Sequence, residues 1–147
     1  MFLIEIKGEL NLENPMIIGS LLIGSLYSLF YHKKEPYYSA IGASGAVSGI
    51  VYACIMLYPE MELMLILVPI PIPGYIFGVI YLLYSMYGMK KQLGNIGHSA
   101  HLGGAIGGFA LTLLLNPVLF STNKMLVISL LIPIILVLLF GDKLKDL

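Results

Sequence analysis

Ala100-His101-Leu102-Gly103-Gly104-Ala105-Ile106-Gly107-Gly108 lies inside a stretch, Gln92 to Asn123, that holds no charged residue. Read as a helix from about His98 to Leu115, it places His101, Gly104, Ala105 and Gly108 at i, i+3, i+4 and i+7, a single stripe. One imidazole therefore heads a face of small residues, and such faces let helix backbones approach closely in lipid. A second stretch has the same design. Gly42-Ala43-Ser44-Gly45 opens a charge-free segment with Gly45 and Gly49 four apart, and Ser44 and Ser48 share a stripe one turn apart. A polar side chain in hydrocarbon costs several kcal/mol, roughly, unless it is partnered, so a serine and a histidine at matching depth point to chemistry.

The rest of the chain has membrane composition. Of its 147 residues 59% are hydrophobic and 11% charged, and the mean hydropathy is +0.93. This predicts an integral, multi-pass protein in the lipid bilayer, folded as one membrane domain over residues 1–147. A spanning helix needs about 20 apolar residues. Five segments approach that: Pro15 to Tyr31, Ser44 to Tyr58, Gly74 to Gly88, His98 to Leu115 and Met125 to Phe140. The fold class expected is all-α, a polytopic helical bundle with about five transmembrane helices. Asn14 is the expected N-cap of the first, with Pro15 in its first turn. Between the second and third, Pro69, Pro71 and Pro73 alternate, which favours an extended or broken segment. Tyr31, Tyr37, Tyr38, Tyr84 and Tyr87 are expected at one interface, and Tyr58 and Tyr75 at the other.

Several function classes are excluded by the same inventory. The eight basic residues are all lysine and are balanced by eight carboxylates, so no basic patch for nucleic acid exists. One cysteine, Cys54, allows no disulfide within the chain, and it reads as a small buried hydrophobe. His98 and His101 have no nearby carboxylate or cysteine in sequence, so no metal site is expected and no cofactor is implied. Glu5, Lys7, Glu9 and Glu13 rule out the basic and apolar regions of a signal peptide at the N-terminus. A transporter with helices broken around Pro69 to Pro73 would carry an internal repeat or a charge within a span, and neither is present.

Counting crossings gives the pair its geometry. One complete span separates the second from the fourth, so these two run parallel, and Ser44 and His101 begin on the same side. A serine hydroxyl becomes nucleophilic when a base removes its proton, which histidine does near neutral pH. No Asp or Glu lies in a span, so the arrangement is a dyad without an acidic third member. Gly42 suits a tight turn into the helix. Ser44 in the first turn leaves backbone N–H groups, around Gly45, that can hold an oxyanion. By spacing alone either His98 or His101 could be the base.

The two motifs, their order and the Gly104/Gly108 pair resemble the rhomboid family of intramembrane serine proteases over about residues 15–118. The resemblance implies that Ser44 is the nucleophile, that His101 is the general base and that Gly74 to Gly88 gates substrate entry. It further implies a role for Gly42 and Gly45 in the oxyanion turn. Gly49, Gly104 and Gly108 would pack the helices. The implied partners are transmembrane protein substrates, cleaved in or near their membrane segments, and residues 125–140 would match an extra C-terminal helix found in one subgroup.

Three departures set further expectations. Rhomboids have two more core helices before the segment matching Pro15 to Tyr31, so the chain is expected to be N-terminally incomplete. The family's His-x-x-x-Asn pair, which supports the oxyanion, occurs nowhere in this sequence, so hydrolysis by these residues alone is expected to be weak or absent and a non-cutting helix binder is the alternative. Four residues after the nucleophile many members carry an aromatic that packs on the histidine; here the residue is Ser48. Orientation is a conflict of its own. Lys33, Lys34, Lys90, Lys91, Lys143 and Lys145 on the Ser44 side against Lys7 and Lys124 on the other point to a cytoplasmic site, whereas the family implies an outer or lumenal one.

Overall fold

A computed structural model describes residues 13–39, 42–65, 68–93 and 96–140. Six helices and one hairpin follow in order: α1 Glu13–Tyr31, α2 Ser44–Leu57, β1 Glu62–Leu65, β2 Val68–Pro73, α3 Gly74–Lys91, α4 His98–Leu115, α5 Leu119–Thr122 and α6 Lys124–Phe140. The core is shared by α2, α3, α4 and α6, with Tyr52, Met56, Leu82, Leu102, Val127 and Leu130 buried at its centre.

Glycine contacts fix the directions of the helices. A Cβ on Gly104 would overlap the Gly45 carbonyl, and one on Gly108 would overlap that of Gly49, so α2 and α4 advance side by side in the same sense. Against α4, α1 runs the other way: Gly103 faces Tyr27, Gly107 faces Ile23, and Gly19 faces Leu111. Gly24 completes that contact, since a Cβ there would sit 2.7 Å from the Ala100 carbonyl oxygen. The parallel relation of the second and fourth apolar helices, expected from counting crossings, is thus present.

The outer surface is as apolar as the interior. Ile18, Leu22 and Leu29 on α1, Ile80 and Leu83 on α3, and Ile132 and Leu138 on α6 are all exposed, while Ser20, Ser28, Ser48, Ser85 and Ser99 are buried. Water selects against such large apolar surfaces; lipid favours them, and small polar residues then make the helix contacts. By length and composition together, α4 is the one helix among the described residues able to cross a membrane, with 18 residues and a mean hydropathy of 1.2. The apolar segments Pro15–Tyr31, Ser44–Leu57 and Lys124–Phe140 are shorter, within 10–17 residues. Of the five expected spanning helices, all five segments are helical and four are apolar by composition, but only α4 has full spanning length among the described residues.

Three expectations need correction. The fold is mostly but not wholly helical, because the proline-rich segment pairs as a two-stranded antiparallel sheet, with Glu62 opposite Pro73, Leu63 opposite Ile72 and Leu65 opposite Val68. Alternate residues of a strand present their N–H groups to the same side, so prolines at 69, 71 and 73 cost one side only and suit an edge. Asn14 is no N-cap, because it lies within α1, Glu13–Tyr31, rather than before it. Tyr31 is buried at 8% exposure rather than displayed at an interface, whereas Tyr37, Tyr58, Tyr75, Tyr84 and Tyr87 are exposed. Cys54 is half-buried. Lys7, Lys143 and Lys145 of the charge count lie outside the described residues.

The last helix has a clear structural part. It packs on α3, and Leu130 fills the space over Gly78, where a Cβ would meet its side chain at 2.8 Å.

Candidate active site

Ser44 is the first residue of α2, exposed, and preceded by Ala43 as the N-cap. It is not itself a cap, so its hydroxyl is not consumed in closing the helix. Among the described residues the Ser44 Oγ has no hydrogen-bond partner. The first i to i−4 bond of this helix runs from the Val47 N–H to the Ala43 carbonyl at 3.3 Å. The N–H groups of Ser44, Gly45 and Ala46 precede that bond and are left for another acceptor. Gly42 supports the turn with φ +143°, a backbone conformation that only glycine adopts without strain.

His101 stands one residue beyond the His98–Ala100 opening of α4, and its N–H makes the helix's first bond, to the Gly97 carbonyl at 3.0 Å. The side chain is half-buried. Ala100 and Gly104 both touch Gly45, a Cβ on Gly45 falling 2.9 Å from the Ala100 oxygen. This places the first turns of α2 and α4 level with each other. Ser44 and His101 therefore stand at the same end of adjoining helices, and no hydrogen bond joins them. In enzymes without substrate such bonds are commonly long or unformed.

His98 is differently placed. It is buried, its Nε2 lies 3.1 Å from the Leu93 carbonyl oxygen, and its ring fills the space over Gly88, where a Cβ would meet it at 2.5 Å. An Nε2–H donated to a backbone carbonyl holds the ring on the α3 side. Tyr84 meets it edge-on at 5.5 Å between centroids, and His101 at 6.4 Å.

The aromatic neighbour of His101 comes from a helix the sequence comparison did not point to. Tyr81, on α3, lies nearly parallel to the His101 ring, with centroids 6.4 Å apart and planes at 19°. Its hydroxyl is 2.6 Å from the Ser48 Oγ, and Ser48 in turn donates to the Ser44 carbonyl at 3.0 Å. Ser48 thus stands where an aromatic was expected and instead anchors one. Local spacing gives no sign of this pairing, because Tyr81 and His101 are far apart in sequence and meet only through the packing of α3 on α4.

A second polar cluster was also invisible in sequence. The His32 Nδ1 is 2.8 Å from the Glu35 Oε2, its Nε2 is 3.2 Å from the Ser99 Oγ, and its ring stacks on Tyr38 at 3.4 Å. Ser99 is also within 2.8 Å of the Ser28 Oγ and 3.3 Å of the Tyr38 hydroxyl. A carboxylate does orient a histidine here, but it is His32 and not the histidine of the dyad. With three partners for its one proton and two lone pairs, the Ser99 oxygen is saturated, and the residue is 1% exposed. The cluster ties the end of α1 and the following loop to the start of α4. A cavity of about 1000 Å³ opens beside it, lined by His32, Glu35, Tyr38, Gln92, His98 and Ser99 among others, with Ser44 and His101 outside its lining. Ser99→Ala is expected to lower stability in detergent by about 1–3 kcal/mol, the cost of stranding the buried Ser28 hydroxyl and the part-buried His32 and Tyr38, measured by thermal or denaturant unfolding. Val47→Ala, on the exposed face of α2, serves as the comparison and should cost far less.

No cluster of three His, Cys, Asp or Glu side chains able to hold a metal ion occurs among the described residues. Residues 14–118 match the rhomboid domain family. The chain belongs to the rhomboid family. It is 28% identical over 96 residues to mitochondrial rhomboid protein 1 of Saccharomyces cerevisiae, a match that covers 63% of this chain and 28% of that protein. The chain thus spans well under a third of the curated rhomboid it matches. No solved structure gives a significant match. Rhomboid-family proteins are membrane proteins, in keeping with the apolar exterior described above.

Proposed function

We propose that this rhomboid is a multi-pass intramembrane serine endopeptidase that cleaves membrane-anchored proteins in or near their transmembrane segments. The observation that carries the reading is the level placement of Ser44 and His101 at the same end of two parallel helices in glycine contact. In this reading the Ser44 Oγ attacks the carbonyl carbon of the scissile peptide bond as its proton passes to the His101 imidazole. Backbone N–H groups of the α2 first turn, shaped by Gly42 and Gly45, hold the oxyanion. The imidazolium then protonates the departing amine, and water, deprotonated by the same imidazole, releases the acyl group from Ser44. No metal or cofactor enters the scheme. A non-cutting rhomboid that only binds transmembrane helices is the second reading, favoured by the absence of a hydrogen bond between Ser44 and His101.

Cleavage of a model single-span substrate co-reconstituted with the chain in liposomes tests this. His101→Ala is expected to abolish cleavage while His98→Ala retains most of it, because His98 is committed to the Leu93 carbonyl. Equal loss in both would mean that His98 shares the chemistry. Substrate retained but uncut by the unmodified chain would establish the second reading.

A further inference from the structure

We propose that Tyr81 is the positioning residue for the catalytic base, and that it makes the orientation of His101 depend on where α3 sits. The proposal rests on the reading of His101 as the base.

Four contacts converge on this one side chain. Its ring lies along the His101 ring in an offset stack, at a separation where aromatic pairs attract each other. Phe77, one turn earlier on α3, is stacked with it at 6.0 Å, and Tyr52 of α2 lies at 6.3 Å. Its hydroxyl meets Ser48. The single proton of the Ser48 hydroxyl goes to the Ser44 carbonyl, so the Tyr81 hydroxyl must be the donor in the 2.6 Å bond to the Ser48 oxygen. A chain of two hydrogen bonds thus leads from α3 to the backbone of the nucleophile, while the same ring braces the base.

Few interactions hold α3 to α2. The bond from the Tyr52 hydroxyl to the Gly78 carbonyl and the Tyr81–Ser48 bond are the two side-chain hydrogen bonds between them among the described residues. By contrast α4 is locked to α2 and α1 through overlapping glycine contacts. If α3 moves away from both α2 and α4, Tyr81 leaves with it. The imidazole of His101 makes no side-chain hydrogen bond of its own among the described residues, so it then loses its ring contact on that side. Any event that draws α3 away, including entry of a substrate segment between the two helices, therefore releases the base, and return of α3 resets it.

The test uses the full chain in detergent with ring-labelled histidine, the His101 signal being assigned by its loss in His101→Gln. Tyr81→Leu keeps apolar bulk but removes ring and hydroxyl; Tyr81→Phe keeps the ring. Tyr81→Leu is expected to shift the His101 resonance and to slow fluorophosphonate labelling of Ser44 by about tenfold, the scale of one aromatic contact. Tyr81→Phe should keep the His101 resonance near its original position and restore labelling to within about threefold. An unmoved His101 resonance in Tyr81→Leu, or a shift equally large in Tyr81→Phe, overturns the proposal. Should Tyr81→Leu fail to fold, the Tyr81→Phe comparison decides by itself. If the unmodified chain shows no labelling at Ser44, the protease reading fails, while the resonance comparison still decides whether Tyr81 holds His101.

Discussion

Ser44→Ala is expected to remove hydrolytic activity altogether, by a factor of at least about 10³ and toward the roughly 10⁶ seen when the nucleophile of a serine protease is lost. The size follows from the surroundings. Ser44 is exposed at the start of α2, its hydroxyl has no partner among the described residues, and no neighbouring serine can substitute: Ser48 is bonded to Tyr81 and to the Ser44 carbonyl, and Ser99 is saturated. His101→Ala should fall nearly as far, because nucleophile and base act as a unit and their losses do not add. The double variant is then expected to be no slower than Ser44→Ala alone. Initial rates of substrate cleavage in liposomes measure all three, and the unfolding temperature of each variant should stay near that of the parent, since neither side chain is part of the core.

The largest expected effect on stability falls one turn deeper, at Gly104→Ala. A methyl group there would overlap the Gly45 carbonyl and crowd the rest of that residue's backbone. Neither partner is a flexible side chain, so the helices have to part. Overpacking by one methyl usually costs about 1–3 kcal/mol, and a backbone-to-backbone contact belongs at or above the top of that range. Gly24 adds to the cost, since it approaches the same turn of α4 from α1. Unfolding of Gly104→Ala in detergent should show a loss of about 3 kcal/mol or more. Activity should fall with it, because the contact that separates is the one that sets Ser44 and His101 level.

The parts of this molecule that were legible in sequence are those written as local patterns. Charge-free apolar runs marked five of the helices, and the Gly104/Gly108 and Gly45/Gly49 spacings marked faces that lie against each other in the structure. Counting crossings gave the parallel sense of α2 and α4. The proline alternation signalled an extended segment, but its pairing with Glu62–Leu65 depends on a partner strand with no pattern of its own. Side-chain relations across helices were not legible at all. Tyr81 against His101, Gly24 against Ala100 and the His32–Glu35–Ser99 cluster each join residues distant in sequence, and each is set by how helices rotate about their axes in the bundle. The aromatic beside the base escapes the sequence for the same reason, since the family pattern places it one turn from Ser44 on the same helix, whereas the structure draws it from α3.

If Ser44 is the reactive serine, the site of covalent labelling shows it. The chain is treated in membranes with a fluorophosphonate, digested and mapped by mass spectrometry. A phosphonyl adduct on Ser44, lost in His101→Ala, is the predicted result. An adduct on Ser99, the other serine beside a histidine and one that a carboxylate orients, would contradict it and move the chemistry to the His32 cluster.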